Sequence, residues 1–312
     1  MNPQTTILIP AHDEEASIAR TLAPLSALAG EDAWRVIVIC NGCRDATAAV
    51  ARAALPSATV IEQDDGGKWR AINAGLEMAP PGSAIILDAD IEIDLASLRA
   101  LAAALEQPEV RAVSPAARFA LDPCDSWVRA YYRVFSRHGY LRHGVGGAGV
   151  YGLSAAARQQ LGPLPPLISD DGFVRAAVAM ENQRRVTQDA AGGPVFALVH
   201  PPRHVGELVR SEARWRRGDR ELDGAAMHDG VHSGGLGSLI GSFFGAALIH
   251  ILPIIVRTAP DALGLKIGSA TAEHLAFLIT GALIIFFLIV GPPGLARLWQ
   301  IGPSRILPPS CR

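Results

Sequence analysis

Ala84-Ile85-Ile86-Leu87-Asp88-Ala89-Asp90 joins an unbroken apolar run to two carboxylates that flank one small residue. The run reads as a strand. A strand that ends in Asp-x-Asp delivers carboxylate oxygens to the carboxyl edge of a sheet, where ligands bind in open α/β folds. Such a pair suits a hard divalent cation, which takes oxygen ligands and bridges protein to phosphate. The plainer alternative is a strand end whose aspartates cap the next helix.

Around this stretch, residues 5–115 alternate short β-like runs with helix-like segments. The runs are 6–9, 36–40, 59–62, 84–87 and 110–114. Between them apolar residues recur at helical spacing, as in Ile18, Leu22, Leu25 and Leu28. Pro10 is expected to end the first strand's pairing. Glu14 and Glu15 then fall in the first turn of the next helix, where the macrodipole favours acids. Asp45 is an N-cap candidate. This alternation argues for an α/β fold with a mostly parallel sheet covered by helices. From 116 to 230 the texture changes. A Gly-rich patch over 144–152 leads into an Ala-rich helix candidate, and Asp170-Asp171 opens another helix. Two β-like runs then end near Val199, and arginines crowd 203–221.

The 312 residues leave room for one large domain or two ordinary ones, and 49% apolar content means that the core is not limiting. A net charge of −2 gives no reason to expect nucleic acid. The four cysteines form no disulfide framework, and Cys40-x-x-Cys43 lacks a second ligand pair for zinc. No secretory signal opens the chain, because its first apolar run, 7–9, is too short. The apolar excess lies at the other end. Segments 236–256 and 275–296 contain no Asp, Glu, Lys or Arg. Both are long enough to cross a bilayer as transmembrane helices. The first is rich in Gly and Ser and suits an interfacial position as well. A buried helical hairpin is the plain alternative for the pair. The basic flanks predict a multi-pass protein of the cell membrane, with residues 1–230 and the tail in the cytoplasm.

Other short motifs sit at the ends of the early β-like runs. They are Pro10-Ala11-His12-Asp13-Glu14, then Asn41-Gly42-Cys43-Arg44-Asp45, then Gly67-Lys68-Trp69-Arg70-Ala71-Ile72-Asn73. Followed by Asp88-Ala89-Asp90, they resemble in order and spacing the family 2 glycosyltransferases, which have the nucleotide-sugar-binding fold called GT-A. Gly146-Gly147-Ala148-Gly149 is similar to that family's acceptor-side glycine segment. Asp170-Asp171 stands where the family usually carries Glu-Asp. Ser211-Glu212-Ala213-Arg214-Trp215 resembles a degenerate Gln-x-x-Arg-Trp motif of processive members. The resemblance covers roughly residues 5–220. It implies a GT-A domain over 1–230, with a donor half of about 1–115 and an acceptor half of about 116–230, before a membrane region over 231–312.

The resemblance also implies roles. Pro10, Ala11, Glu14 and Asn41 would meet the nucleotide, although the family often has Asp in place of Asn41. Lys68 and Arg214 would face the diphosphate. Its plain role would make Lys68 a surface lysine at a helix start. Asp90, with Asp88, would hold Mg2+ or Mn2+. Asp171 would be the general base, with Asp170 beside it, and helix capping is the plain alternative for that pair. Gly147 and Trp215 would meet the acceptor, a glycan or lipid-linked hydroxyl. The absent Gln at Ser211 argues against processive synthesis. The implied reaction is inverting transfer of a sugar from a nucleotide diphosphate sugar at a membrane. One rival, a sugar-1-phosphate nucleotidyltransferase, would show a Gly-rich loop after the first strand, and Pro10–Glu15 has no glycine. The other rival is a non-catalytic membrane protein that keeps the fold.

Overall fold

The structure, a computed structural model, describes residues 4–229. All of them fall within one compact unit, Met1–Gly234. The first half runs β1 (Gln4–Ala11), α1 (Ile18–Leu22), β2 (Trp34–Asn41), α2 (Thr47–Ala54), β3 (Thr59–Gln63), α3 (Lys68–Met78) and β4 (Gly82–Leu87). Next come β5 (Glu92–Ile93), α4 (Leu95–Leu105), β6 (Ala112–Phe119) and α5 (Ser126–Phe135). The remainder is β7 (Val150–Leu153), α6 (Ala155–Leu161), α7 (Asp170–Ala177), β8 (Gln183–Val186), β9 (Phe196–Val199) and α8 (Val205–Asp229).

The strands form one nine-stranded sheet in the order β3-β2-β1-β4-β7-β6-β9-β5, with β8 paired to β6. From β3 to β4 every pairing is parallel. Helices cover both faces of β1, β2 and β4, which is why those strands are apolar on both sides. Ile7 and Ile9 of β1 pack with residues of α1, α2 and α4. Leu8, between them, faces Ala71 of α3. Ile86 and Tyr151 lie on that second face with residues of α3, α6 and α7.

The sheet is mixed, which corrects the mostly parallel sheet expected from the sequence. β7 enters antiparallel between β4 and β6, and β5 pairs antiparallel with β9. The expected run at 110–114 therefore does not join β4 directly. β7 is only four residues long and contains Gly152, so it reads as part of the glycine-rich patch.

Two local expectations also shift. Pro10 lies inside β1, opposite Ile39 of β2. On the other side pairing with β4 stops at Leu8, so the missing proline N–H costs no ladder bond. Glu14 and Glu15 precede α1 rather than start it. They belong to a turn in which Asp13 takes a positive φ of 54°.

The membrane expectations are also corrected. Among the described residues no helix is long and apolar enough to cross a membrane. The longest, α8 with 25 residues, carries Arg210, Glu212, Arg214, Arg216, Arg217 and Arg220 along its length. The segments 236–256 and 275–296 lie outside the described residues. Nothing among the described residues supports the transmembrane helices, the membrane as partner, or the multi-pass localisation with a cytoplasmic domain.

Candidate active site

β4 ends at Leu87, and Asp88 follows with its N–H donating to Gly149 O at 2.9 Å. The next helix, α4, is capped by Asp94, whose Oδ1 accepts from Ser97 N at 2.7 Å. Asp88 and Asp90 therefore do not cap it, and the plain alternative for this motif falls.

Lys68 is the first residue of α3. Its Nζ lies 2.7 Å from Asp88 Oδ1 and 2.9 Å from Asp170 Oδ1. It is thus held between the end of β4 and the start of α7, not loose on the surface. Burial alone would lower its pKa, but Asp170 and Asp88 outweigh that and raise it. Burial pushes the Asp88 carboxyl up to about 7, opposed by Lys68 and reinforced by Asp170 and Asp90.

Asp170 and Asp171 share the first turn of α7 but differ in surroundings. Asp170 is buried, and its second oxygen, Oδ2, accepts from Tyr151 Oη at 2.9 Å. Asp171 is half-buried. Its Oδ2 accepts from Gly147 N at 3.1 Å, and its Oδ1 from Gly172 N at 2.8 Å. Gly147 has a φ of 75°, and a Cβ there would meet Leu141 Cδ2 at 2.4 Å. Only glycine suits that backbone and that space. Side chains from behind hold this glycine loop. Arg185 donates to Gly146 O at 2.8 Å, Arg175 donates to Val145 O at 2.9 Å, and Gln183 Oε1 accepts from Val145 N at 3.0 Å.

On the far side, Glu14 is half-buried. Burial raises its pKa, Ser17 opposes this through a hydrogen bond, and Asp90 adds to it. Arg214 is exposed on α8, yet it lies close enough to pull the Glu14 carboxyl down. Two of the residues expected to meet ligand, Asn41 and Trp215, have partners within the protein. Asn41 is buried, with Nδ2 donating to Ala11 O at 2.8 Å and Oδ1 accepting from Gly67 N at 2.9 Å. Its amide joins the β1 end to the α3 start. Pro10 and Ala11 are buried strand residues, so they offer backbone more than side chain. Trp215 stacks on Phe135 of α5, with centroids 6.4 Å apart.

The donor set fits a divalent ion. Among the described residues Asp90 makes no hydrogen bond or ion pair, although it is half-buried beside Asp88 and Glu14. An unspent carboxylate among other acids is oxygen chemistry of the kind that Mg2+ and Mn2+ take. A second group, Asp13, Cys43 and Asp45, brings ligand atoms within 4.8 Å of one another. Its atoms are tied to backbone instead. Asp13 Oδ1 accepts from Arg44 N, Asp45 Oδ1 accepts from Thr47 N, and Cys43 Sγ meets Ala11 O. Asp45 thereby serves the start of α2 from one residue before its N-cap, Ala46.

The sequence reading gave no role to Tyr151 or Asn73. Asn73 Oδ1 accepts from Leu164 N at 2.7 Å and Nδ2 donates to Leu164 O at 2.9 Å, which ties α3 to the segment ahead of α7. Asn73 had a signal, since it stands in the Gly-Lys motif. Tyr151 had none beyond its place in the glycine patch.

Comparison with known proteins places this arrangement. No curated protein matches the chain. Among solved structures, it is similar to the mannosyltransferase PcManGT of Pyrobaculum calidifontis, solved with GDP-Man and Mn2+. The identity is 22% and the TM-score 0.57, over 96% of this chain and 84% of that one. It is less similar to Staphylococcus aureus TarS in complex with UDP-GlcNAc, at 14% identity and a TM-score of 0.49, over 64% and 59% of the two chains. The first likeness, at that identity, shows a common fold. The family model described as "Glycosyl transferase family 2" matches residues 6–161. That is half of the chain and includes every motif from Pro10 to Gly149. With the Asp-x-Asp at the carboxyl edge of β4, the chain belongs to glycosyl transferase family 2 and is a glycosyltransferase of GT-A fold.

Proposed function

We propose that this site moves a sugar from a nucleotide diphosphate sugar to a hydroxyl acceptor with inversion at the anomeric carbon. One observation carries the reading: Lys68 is clasped between Asp88 and Asp170, with Asp171 beside them on the Gly147 amide. Positive charge for a diphosphate and a half-exposed carboxylate for a hydroxyl then lie side by side.

The donor half, about 1–115, supplies Glu14 and the β1 end near Pro10 and Ala11 for the nucleotide. Asn41 serves it indirectly by fixing that strand end. Lys68 and Arg214 meet the diphosphate as charge-assisted donors. Asp90 and Asp88 hold Mg2+ or Mn2+, which when bound neutralises charge on the leaving group. The acceptor half, about 116–230, supplies Asp171 as base, Gly147 to orient it, and Trp215 on the acceptor side. Asp171 takes the hydroxyl proton as the acceptor oxygen bonds to the anomeric carbon. The bond from that carbon to the diphosphate oxygen breaks on the opposite face, and the nucleoside diphosphate leaves with the electron pair. Asp170, buried and paired with the Lys68 ammonium, is a poor base and serves to hold Lys68. Family membership weighs against both rivals, the nucleotidyltransferase and the non-catalytic protein.

The test is a screen of nucleotide sugars for Mn2+-dependent release of nucleoside diphosphate. GDP-mannose goes first, since the solved structure of similar fold holds GDP-Man. The anomeric configuration of the product, read by NMR, checks inversion. No release from any donor over a panel of hydroxyl acceptors would overturn the reading, and a retained configuration would overturn the single displacement.

A further inference from the structure

We propose that Tyr151 is a positioning residue that acts through Asp170 to keep the Lys68 ammonium at the diphosphate. This rests on the reading of Lys68 as the donor's cation.

Tyr151 stands on β7 opposite Ile86 of β4. Side chains alternate along a strand, so Ile86 and Asp88 share a face, and a cross-strand partner shares it too. The tyrosine body is buried among α3, α6 and α7 residues, 2% exposed. Its hydroxyl donates to Asp170 Oδ2 at 2.9 Å, while Asp170 Oδ1 holds Lys68 Nζ at 2.9 Å. The sequence of contacts is Tyr151, Asp170, Lys68, Asp88.

A lysine stem is flexible, and an ammonium at its end is free to swing into water. Two carboxylates prevent that here. One of them, Asp88, is also offered to a metal. Once Asp88 turns to an ion, only Asp170 keeps Lys68 in place. Asp170 is 5% exposed, so its direction depends on what its second oxygen meets. Tyr151 is that partner. Without the hydroxyl, Asp170 has a buried oxygen with nothing to accept from, and the carboxylate reorients or takes up water. Lys68 then loses its fixed geometry although no atom near the donor has changed.

The experiment uses the full chain. Affinity for the diphosphates of adenosine, cytidine, guanosine, uridine and thymidine is measured by calorimetry with Mg2+. The proteins are the parent, Tyr151→Phe, Lys68→Met and the double variant. Tyr151→Phe should weaken the preferred nucleotide by about tenfold, the worth of one charged hydrogen bond. In the Lys68→Met background the same change should have no effect, because the cation it positions is gone. Should Lys68→Met fail to fold, Asp170→Asn takes its place in the cycle and predicts the same loss of coupling. Equal weakening in both backgrounds, or none in either, overturns the proposal, since a purely structural tyrosine gives one or the other. Binding of no nucleotide by the parent overturns the donor reading itself.

Discussion

Asp170 and Asp171 are neighbours in sequence with different surroundings for their oxygens. Asp170 is buried between the Lys68 ammonium and the Tyr151 hydroxyl, whereas Asp171 is half-buried and its oxygens accept from the Gly147 and Gly172 amides. Replacing Asp171 with Asn should therefore lower turnover by about 10²–10⁴-fold, the range of general-base catalysis, with nucleotide binding kept. A loss of less than about tenfold would move the base elsewhere. Asn41 makes a different prediction. Asn41→Asp removes the donor to Ala11 O and sets two oxygens against each other in a buried place. Thermal unfolding should show a destabilisation of about 1–3 kcal/mol. An unchanged midpoint would show that the amide is not needed as a donor. Asp88 and Asp90 stood out in the sequence because they follow an apolar run directly, and Lys68 because it stands in the Gly-Lys motif. The bracing contacts of Asn41 were not legible locally, because its partners, Ala11 and Gly67, lie at the end of β1 and the start of α3. Tyr151 was missed for the same reason, since its partner depends on how β7 enters the sheet.

The elements show where such reading stops. The early runs 6–9, 36–40, 59–62 and 84–87 all lie inside β1 to β4, and in β1, β2 and β4 the signal is strong because strands buried on both faces are apolar throughout. β7 escaped because four residues with a glycine among them carry little period. The glycine loop before it is set by backbone geometry. Gly147→Ala places a Cβ at a φ of 75°, 2.4 Å from Leu141 Cδ2. The left-handed backbone alone costs about 1–2 kcal/mol, which lowers the melting temperature by about 2–8 °C in a domain of this size. Turnover should fall further than stability, as the amide under Asp171 shifts. A variant that melts lower yet keeps its specific activity would show that the loop does not aim the base.

In the protein as a whole, pH should act through buried acids. Cys40 is 1% exposed, and burial, with Cys43 beside it, pushes its thiol up to about 12. An unfolded thiol titrates near about 8.5. The folded form therefore holds the proton more tightly. That stability is complete below about 8.5 and is lost as pH rises towards about 12, by at most about 1.4 kcal/mol per pH unit. Urea midpoints at pH 8 and pH 10.5 should separate more in the parent than in Cys40→Ala. Equal separations would remove the thiol from the account. The insertion of β7 also has a consequence for synthesis. Strands β1 to β4 come from consecutive chain and have one another as partners once β4 is made, but the second edge of β4 has no partner until Leu153 has been made. A nascent chain paused before that point offers water a bare apolar edge, which is a template for aggregation. Pulse-labelled hydrogen exchange during refolding should find β1 and β2 amides protected before those of β6 and β7. Simultaneous protection would mean that the sheet forms in one step and that the growing chain carries no such exposed edge.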